Sequence, residues 1–194
     1  PGQELPALQD CVQVVAYDAG FAALTSTGSV YTWGDERYMP CLARDLDEFS
    51  PSDKPGLVHS LQDLPTGPIT KIAAGGYILA ALTKGNDLYV WGGHLGKRTL
   101  PVDLVGGPTP MDIDDHDIAD VAVGDAHLIV LTTHGHVFVI GDNRNGQLGI
   151  KSQRADVWEE VELDLSDKTT PVAVVAGPRG SFITVERLPH SSGI

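Results

Sequence analysis

The densest group of residues that could bind a metal ion lies in the segment MDIDDHD, at residues 111–117. It contains one histidine and four aspartates, Asp112, Asp114, Asp115 and Asp117. Carboxylate oxygens are the ligands that Ca²⁺ prefers, but the segment lacks the ligand spacing and the closing glutamate of an EF-hand loop. We therefore interpret it first as a solvated acidic loop, and second as an acidic docking strip for a basic protein partner.

Two histidines, His134 and His136, alternate along the chain and would face the same side of a strand, as a pair of metal ligands would. No third ligand lies near them in the sequence, so an exposed hairpin tip is the better interpretation. The spacing of residues shows no Ser/His/Asp arrangement, no phosphate-binding glycine loop and no pair of convergent carboxylates. The sequence therefore predicts neither catalysis nor a bound metal ion or cofactor.

The chain is acidic, with 26 acidic against 13 basic residues and a formal net charge of −13 at pH 7. A surface that neutralises nucleic-acid phosphates or docks on anionic lipid would have to form against this field. No apolar run approaches the roughly 18 residues that a membrane-spanning helix needs. The two cysteines, Cys11 and Cys41, are far apart and match no zinc or disulfide pattern. We expect no direct nucleic-acid or membrane partner, and an intracellular location that is cytoplasmic, nuclear or both.

One pattern of apolar and glycine residues occurs three times without internal gaps, at residues 14–35, 72–93 and 121–142, and a fourth, incomplete copy lies at 174–185. The copies begin 49 to 58 residues apart, which suits a four-stranded propeller blade with variable loops. Their superposition predicts two sets of equivalent core positions, which are Leu24, Leu82 and Leu131, and Val30, Leu88 and Val137.

Each complete copy divides into short β-rich runs that are separated by turns, and no helical apolar stripe is present. The turns at Gly28, Asn86 and Gly135 require a positive φ, which glycine and asparagine adopt at low cost. A fourth strand is predicted after each copy, at residues 57–61, 100–105 and 157–163. The tryptophans Trp33 and Trp91 are expected to pack between blades. The sequence thus predicts an all-β fold of four-stranded antiparallel blades.

The third copy continues as GDNRNGQLG at residues 141–149, and with this segment it resembles the repeat of the regulator-of-chromosome-condensation family. The resemblance implies a β-propeller of about seven blades, of which this chain holds about three, with partial blades at both ends. We expect a single partial propeller domain over residues 1–194. Its repeats fall at about residues 12–61, 69–105, 118–163 and 171–186, the last incomplete.

Both ends of the chain are predicted to lie within a blade. Residues 5–8 are interpreted as a fourth strand that finishes a preceding blade, and the copy at 174–185 lacks the strands that should follow it. An open arc would expose strand edges and apolar blade faces, which folded proteins avoid. We therefore expect a complementary half-propeller, supplied by a second chain, a missing segment or another copy of this chain.

In a four-stranded meander, the first-to-second and third-to-fourth connections lie at the same end of the blade. That end should collect the residues predicted to contact a protein partner, which are Glu36, Arg37, Tyr38, Tyr77, His94, Asp125, Asn143, Arg144 and Asn145. Arg144 could pair with a carboxylate in a bidentate manner. His127 occupies the Gly-x-x-His position of the family repeat and resembles a histidine that hydrogen-bonds within its own blade.

We expect the chain to act as a protein-interaction module or scaffold, because loop length varies while the strand scaffold does not. The family resemblance implies two alternatives. One is a guanine-nucleotide exchange factor for a small GTPase such as Ran. The other is an accessory propeller similar to the alpha-tubulin-suppressor-like fungal members, which pair with a small metal-carrying protein in tRNA and translation-factor modification. Fold does not determine function, so these possibilities stay open at this point.

Overall fold

The computed structural model describes residues 5–94, 100–102, 104, 107–166 and 168–187. Fourteen strands account for nearly all of the regular structure in these residues: β1 Cys11–Tyr17, β2 Gly20–Thr25, β3 Val30–Gly34, β4 Gly56–Leu57, β5 Ile69–Gly75, β6 Ile78–Thr83, β7 Leu88–Gly92, β8 Thr109–Met111, β9 Ile118–Val123, β10 His127–Thr132, β11 Val137–Asp142, β12 Arg154–Glu160, β13 Thr169–Gly177 and β14 Gly180–Arg187. The remainder is one short α-helix, α1 Met39–Leu42, and 3₁₀ turns at Pro6–Leu8, Glu36–Tyr38 and His59–Leu61.

The strands form three four-stranded antiparallel sheets and one antiparallel pair. The sheet orders are β1-β2-β3-β4, β5-β6-β7-β8 and β9-β10-β11-β12, and β13 pairs with β14. Each sheet is a meander, so neighbouring strands in the sequence are neighbours in space. We call these sheets blades one to three and the pair blade four. The prediction of an all-β fold built from four-stranded antiparallel blades, as part of a propeller, is confirmed.

A threonine at the end of the second strand fixes the hairpin of every complete blade. The side-chain oxygens of Thr25, Thr83 and Thr132 each accept a hydrogen bond from the backbone N–H four residues later, at 3.0–3.1 Å. The turn between has a residue with positive φ, which is +87° at Gly28 and +70° at Asn86. The repeated Leu-Thr and glycine positions of the sequence are therefore explained by one turn geometry.

The predicted core positions are buried in all three blades. Leu24, Leu82 and Leu131 are at most 3% exposed. Their neighbours on the third strand, Val30, Leu88 and Val137, are equally inaccessible. Trp91 packs between blades one and two, as expected, and its Nε1 donates a hydrogen bond to the carbonyl of Cys41 at 3.1 Å. Trp33 instead stacks on Phe21, with ring centroids 5.5 Å apart, on the face of blade one that no other blade covers.

The first strands of successive blades lie beside one another along the inner edge of an arc, in the order β1, β5, β9 and β13. Polar side chains join them across the blade boundaries. The amide of Gln13 donates to the carbonyl of Ile72 at 2.7 Å and accepts from its N–H at 3.0 Å. The carboxylate of Asp120 accepts from the N–H of Val174 at 3.0 Å and pairs with Lys71.

Two of the predicted strands are wrong, and two have other bounds: the strand predicted at 57–61 is Gly56–Leu57 followed by a 3₁₀ turn, and the one predicted at 157–163 is Arg154–Glu160. Residues 5–8 do not form a strand, because Pro6 begins a 3₁₀ turn there and proline has no N–H to contribute to a sheet. The fourth strand of blade two is Thr109–Met111 and not residues 100–105, of which 103 and 105 lie outside the described residues. Leu100 and Leu104 are nevertheless buried, since both pack into the core between blades two and three.

The two outer faces of the arc are apolar and exposed. On blade one, Val12, Val14 and Phe21 are 63%, 55% and 45% exposed. On blade four, Val175 and Phe182 lie opposite each other across the strand pair and are 52% and 70% exposed. Apolar strand pairs of this kind usually mark surfaces that contact other protein.

We predict that Asp120→Ala lowers the free energy of unfolding by about 2–3 kcal/mol, because the N–H of Val174 loses its acceptor and Lys71 loses its partner. Chemical denaturation of the full chain measures the change. The matched control is Asp156→Ala, which removes an ion pair to Arg154 at the surface and should change stability by less than about 0.5 kcal/mol. Equal effects of the two substitutions would contradict the role assigned to Asp120.

We also predict that the purified chain self-associates in a concentration-dependent manner through its exposed apolar faces. Sedimentation velocity should show dimers or larger species, and Val14→Lys together with Phe182→Lys should shift the distribution toward the monomer. A monodisperse, cooperatively unfolding monomer of the unsubstituted chain would overturn this prediction.

Candidate partner-binding face

One end of the blades collects the turns between first and second strands and the long loops between third and fourth strands. We call this end the loop face. A repeated backbone contact joins the two kinds of loop within a blade. Asp35, Gly93 and Asp142 each donate a backbone hydrogen bond of 2.7–2.8 Å to the turn of the same blade. The preceding glycine must lack a Cβ: a Cβ on Gly92, for example, would lie 2.2 Å from the carbonyl oxygen of Tyr77.

Three of the predicted contact residues form an aromatic cluster on the loop face. Tyr38 and Tyr77 stack with ring centroids 4.8 Å apart, and the ring of His94 meets Tyr77 edge-on at 4.7 Å. Tyr38 comes from the long loop of blade one, whereas Tyr77 and His94 come from blade two. All three side chains are half-buried. The cluster therefore bridges two blades and presents aromatic surface to solvent.

Hydrogen bonding to Tyr38 raises the pKa of Tyr77 to about 12. Its hydroxyl therefore keeps its proton at neutral pH and adds no charge to the cluster. Arg37 lies beside the cluster, with its guanidinium carbon 6.0 Å from the centre of the Tyr38 ring. The arrangement combines aromatic surface, a neutral hydroxyl and a cation in one place.

An aspartate holds Arg37 in position. Both carboxylate oxygens of Asp35 lie 2.9 Å from Nε of Arg37, and Oδ1 also accepts the backbone N–H of Arg37 at 3.0 Å. These hydrogen bonds lower the pKa of Asp35 to about 2, so the carboxylate stays charged. Glu36, between them, is exposed. Superposition of the repeats places Asp142 and Arg144 at the same positions of blade three, where Nε of Arg144 lies 2.7 Å from Oδ1 of Asp142.

The loop of blade three after β11 is held together by Asn143, one of the predicted partner contacts. Its amide donates to the carbonyls of Ile150 and Ser152 at 2.9 and 2.6 Å, and its Oδ1 accepts from the N–H of Leu148 at 2.8 Å. The side chain is 6% exposed, so it shapes the loop and is not available to a partner. Arg144 and Asn145 are exposed at the tip of the loop.

Asp125 is exposed on the neighbouring turn of blade three, and its N–H lies 3.3 Å from the carbonyl oxygen of Pro178 in blade four. The residue after Pro178, Arg179, also lies on the loop face, although it is not among the predicted contact residues. It occupies the repeat position of Tyr77, so superposition of the incomplete fourth copy on the second would have identified it.

The acidic strip lies at the opposite end of the blades, between β8 and β9. Asp112, Asp114, Asp115 and Asp117 are all exposed, and Oδ1 of Asp112 accepts the N–H of Asp115 at 3.1 Å. His116 is turned away from them, against His136 and Phe138. Across the part of the chain that the structure describes, no group of three or more potential metal ligands is present.

His127 is fully buried, and its hydrogen bond differs from the expected one. Its Nε2 lies 3.0 Å from Oγ of Ser181, so the histidine bonds to the next blade and not within its own. Burial lowers the pKa of His127, which keeps the imidazole neutral. The residue therefore joins blades three and four and is structural.

We predict that Asn143→Ala lowers the free energy of unfolding by about 2–3 kcal/mol, because it leaves buried backbone groups of the loop without partners. Thermal or chemical unfolding measures the change. The matched control is the exposed neighbour Asn145, whose replacement by alanine should cost less than about 0.5 kcal/mol. If both variants are equally stable, the loop does not depend on Asn143.

Comparison with known proteins identifies the repeat. The sequence model described as "Regulator of chromosome condensation (RCC1) repeat" matches residues 118–147, which contain β9, β10, β11 and the start of the loop fixed by Asn143. The described residues contain no helix that is long and apolar enough to cross a membrane.

Two relatives are similar over most of this chain. The RCC1 domain-containing protein RUG3, mitochondrial, of Arabidopsis thaliana is 32% identical over 168 residues, which is 84% of this chain. The secretion-regulating guanine nucleotide exchange factor of Mus musculus is 31% identical over 178 residues, again 84% of this chain. In both cases the chain spans 37% of the relative's own length.

The crystal structure of Prp20p from Saccharomyces cerevisiae superposes with a TM-score of 0.70 at 20% identity, covering 93% of this chain and 45% of that one. At this identity the likeness concerns the fold. The repeated sequence, the four-stranded blades and these similarities together show that the chain belongs to the RCC1 repeat family.

Proposed function

We propose that the chain is a protein-interaction module that binds its partner through the loop face. The aromatic cluster of Tyr38, Tyr77 and His94 carries this proposal. Tyrosine and arginine are enriched among the residues that contribute most to protein interfaces, because they provide large rigid contact areas with polar ends. Here two tyrosines, a histidine and Arg37 lie together at the surface, held by two blades.

The chemistry of the loop face supports binding and offers little for catalysis. Burial raises the pKa of the Cys41 thiol to about 11, so the thiolate is scarce at neutral pH and a poor nucleophile. The exposed arginines Arg37 and Arg144 pair with aspartates of their own loops. We therefore propose a non-enzymatic role. We also propose an intracellular location, but the names of the relatives do not identify the compartment, since one of them is mitochondrial.

Guanine-nucleotide exchange on a small GTPase is the second candidate function. It is favoured by the similarity to a protein named as a secretion-regulating guanine nucleotide exchange factor. Prp20p, which shares the fold, is described together with its binding properties to Gsp1p and histones, so propellers of this kind can present surfaces to proteins. The net charge of −13 argues against direct binding of nucleic acid by this chain.

The exposed outer faces of blades one and four suggest a second kind of partner, a complementary half-propeller. Phe21 on one face and Phe182 on the other would be covered by further blades in the manner of the contacts inside this arc. A second chain, a further segment or another copy of this chain could supply them. The acidic strip at Asp112, Asp114, Asp115 and Asp117 is kept as a separate proposal, a docking site for a basic protein segment.

We predict that Tyr38→Ala and Tyr77→Ala reduce recovery of the partner at least tenfold in affinity purification from cells with quantitative mass spectrometry, because each removes one wall of the aromatic cluster. Tyr38→Phe should retain most of the binding. Thermal unfolding of each variant separates loss of binding from loss of fold.

The matched control is His134→Ala, an exposed aromatic residue at the opposite end of blade three. It should leave recovery unchanged. Undiminished recovery with both tyrosine variants, or an equal loss with His134→Ala, would show that the partner does not bind the aromatic cluster. In parallel, stimulated release of GDP from Ran tests the second candidate, and its absence removes that function.

A further inference from the structure

A groove of about 400 Å³ lies on the loop face between blades three and four. Its walls come from the turn and the long loop of blade three and from the turn of blade four. The residues that matter for its chemistry are Asp125, Asp142, Arg144 and Arg179. The groove is separate from the aromatic cluster, which lies between blades one and two.

Arg144 is held in place before any ligand arrives. Its Nε donates to Oδ1 of Asp142, and the other carboxylate oxygen of Asp142 accepts from the amide of Gln147 at 3.2 Å. Gln147 is itself 5% exposed and also accepts the N–H of Asn145, so the support is fixed. Only one edge of the guanidinium is used, and its two terminal NH₂ groups have no hydrogen-bond partner among the described residues. They form the fork that binds a carboxylate in a bidentate manner.

Arg179 supplies a second cation on the facing wall. The contact between Asp125 N–H and the Pro178 carbonyl holds its turn beside blade three. The guanidinium of Arg179 is exposed and forms no ion pair with any residue that the structure describes. Within the described part of the chain, Arg179 has no ion pair, and Arg144 has two NH₂ groups without partners. An anion that binds between them would therefore gain charge-assisted hydrogen bonds.

The two aspartates limit which anion fits. Asp142 is neutralised in part by Arg144, but Asp125 is exposed on the groove wall and forms no ion pair with the described residues. The two arginines attract a phosphate group, with a charge near −2, more strongly than a carboxylate, and the two aspartates repel it more strongly by a similar factor, so these four charges nearly cancel. The net charge of −13 of the chain adds a repulsion that is larger for the phosphate, and this repulsion favours a single carboxylate ligand.

We propose that this groove binds the side-chain carboxylate of a glutamate or aspartate on a protein partner. The inference rests on the proposed function, because it assumes that the loop face meets a protein. The partner's carboxylate accepts hydrogen bonds from the free edge of Arg144, and Arg179 closes over it. The groove thereby selects partners in which an acidic side chain reaches the boundary of blades three and four while another residue meets the aromatic cluster at the boundary of blades one and two.

The test uses the full chain labelled with ¹⁵N only at arginine, which gives seven side-chain signals to follow by NMR, even in an assembly. The probe is acetyl-glutamate amide at about physiological ionic strength, which screens long-range repulsion by the acidic chain. The Nε–H signals of Arg144 and Arg179 should shift together and saturate at millimolar concentration. Acetyl-glutamine amide, which lacks the charge, should shift neither.

Two substitutions sharpen the result. Arg179→Ala should weaken the response of Arg144 at least tenfold, and Arg144→Lys should abolish most of the response of Arg179, because lysine keeps the charge but loses the fork. The matched control is Arg187→Ala, an exposed arginine at the other end of blade four, which should have no effect. Unchanged thermal unfolding shows that each variant is folded.

Several results would overturn the proposal. These are shifts that grow linearly at all arginines, an equal response to the glutamine analogue, tighter binding of phosphoserine amide than of glutamate amide, or no effect of Arg179→Ala. The outcome is independent of the aromatic cluster. If the Arg144 signal responds to the carboxylate probe but Tyr38→Ala does not reduce recovery of the partner, only the proposed function is refuted. If Tyr38→Ala reduces recovery but the Arg144 signal does not respond, only the carboxylate-binding groove is refuted.

Discussion

The structure depends on the close approach of adjacent blades along their inner strands. β5 and the end of β9 come so near each other that a Cβ on Gly75 would lie 2.5 Å from the carbonyl oxygen of Val123, and a Cβ on Gly124 would lie 2.8 Å from the carbonyl oxygen of Gly177 in blade four. At these points no side chain fits between the backbones, and elsewhere along the first strands the backbone groups that face a neighbouring blade need partners. Gln13 satisfies both polar groups of Ile72, and Asp120 satisfies the N–H of Val174. A polar residue just before the apolar run of the first strand thus joins one blade to the next.

This spacing also produces the binding surfaces. Because neighbouring blades are so close at the inner edge, the turn of one blade lies against the long loop of the blade before it. Tyr77 meets Tyr38 in this way at the first boundary, and Arg179 shares a groove with Arg144 at the third. The backbone bond from Asp18 to Gly76, at 2.8 Å, fixes the first of these pairs of turns. Each candidate site therefore belongs to a pair of blades, and a change in blade spacing would alter binding without touching a contact residue.

The repeat made much of the fold predictable, because three gapless copies establish strand order, hairpin turns and equivalent core positions such as Leu131. What the copies do not share was harder to predict. Leu100 and Leu104 have the apolar spacing of a strand but lie in the loop before β8 and pack into the core between blades two and three, since burial needs only an apolar side chain and not a sheet partner. Asn143 is predicted as a surface contact because the sequence does not reveal that its amide points into its own loop. Topology placed Tyr38 and Tyr77 on one face, yet their stacking depends on blade spacing.

Blade one departs from the repeat pattern at the two positions that flank the turn between its first and second strands, and the turn keeps its place nevertheless. In blade three, Gly124 provides room for the ring of His127, since a Cβ there would lie 2.0 Å from the imidazole. In blade one the sizes are exchanged: Tyr17 occupies the glycine position, and Gly20 stands where the histidine would be. A Cβ on Gly20 would lie 2.9 Å from the Tyr17 hydroxyl.

The other blades also have a glycine beside the turn, with Gly75 opposite Ile78 in blade two and glycine at both positions, 177 and 180, in blade four. The reason differs, however: in blade two a Cβ on Gly75 would meet the backbone of blade three, and in blade four nothing lies within 4 Å of a Cβ on either glycine. Blade one lacks the histidine of the family repeat but fills the same space from the other side. The first copy can deviate at both positions and still present its turn to the loop face at the spacing that the aromatic cluster requires.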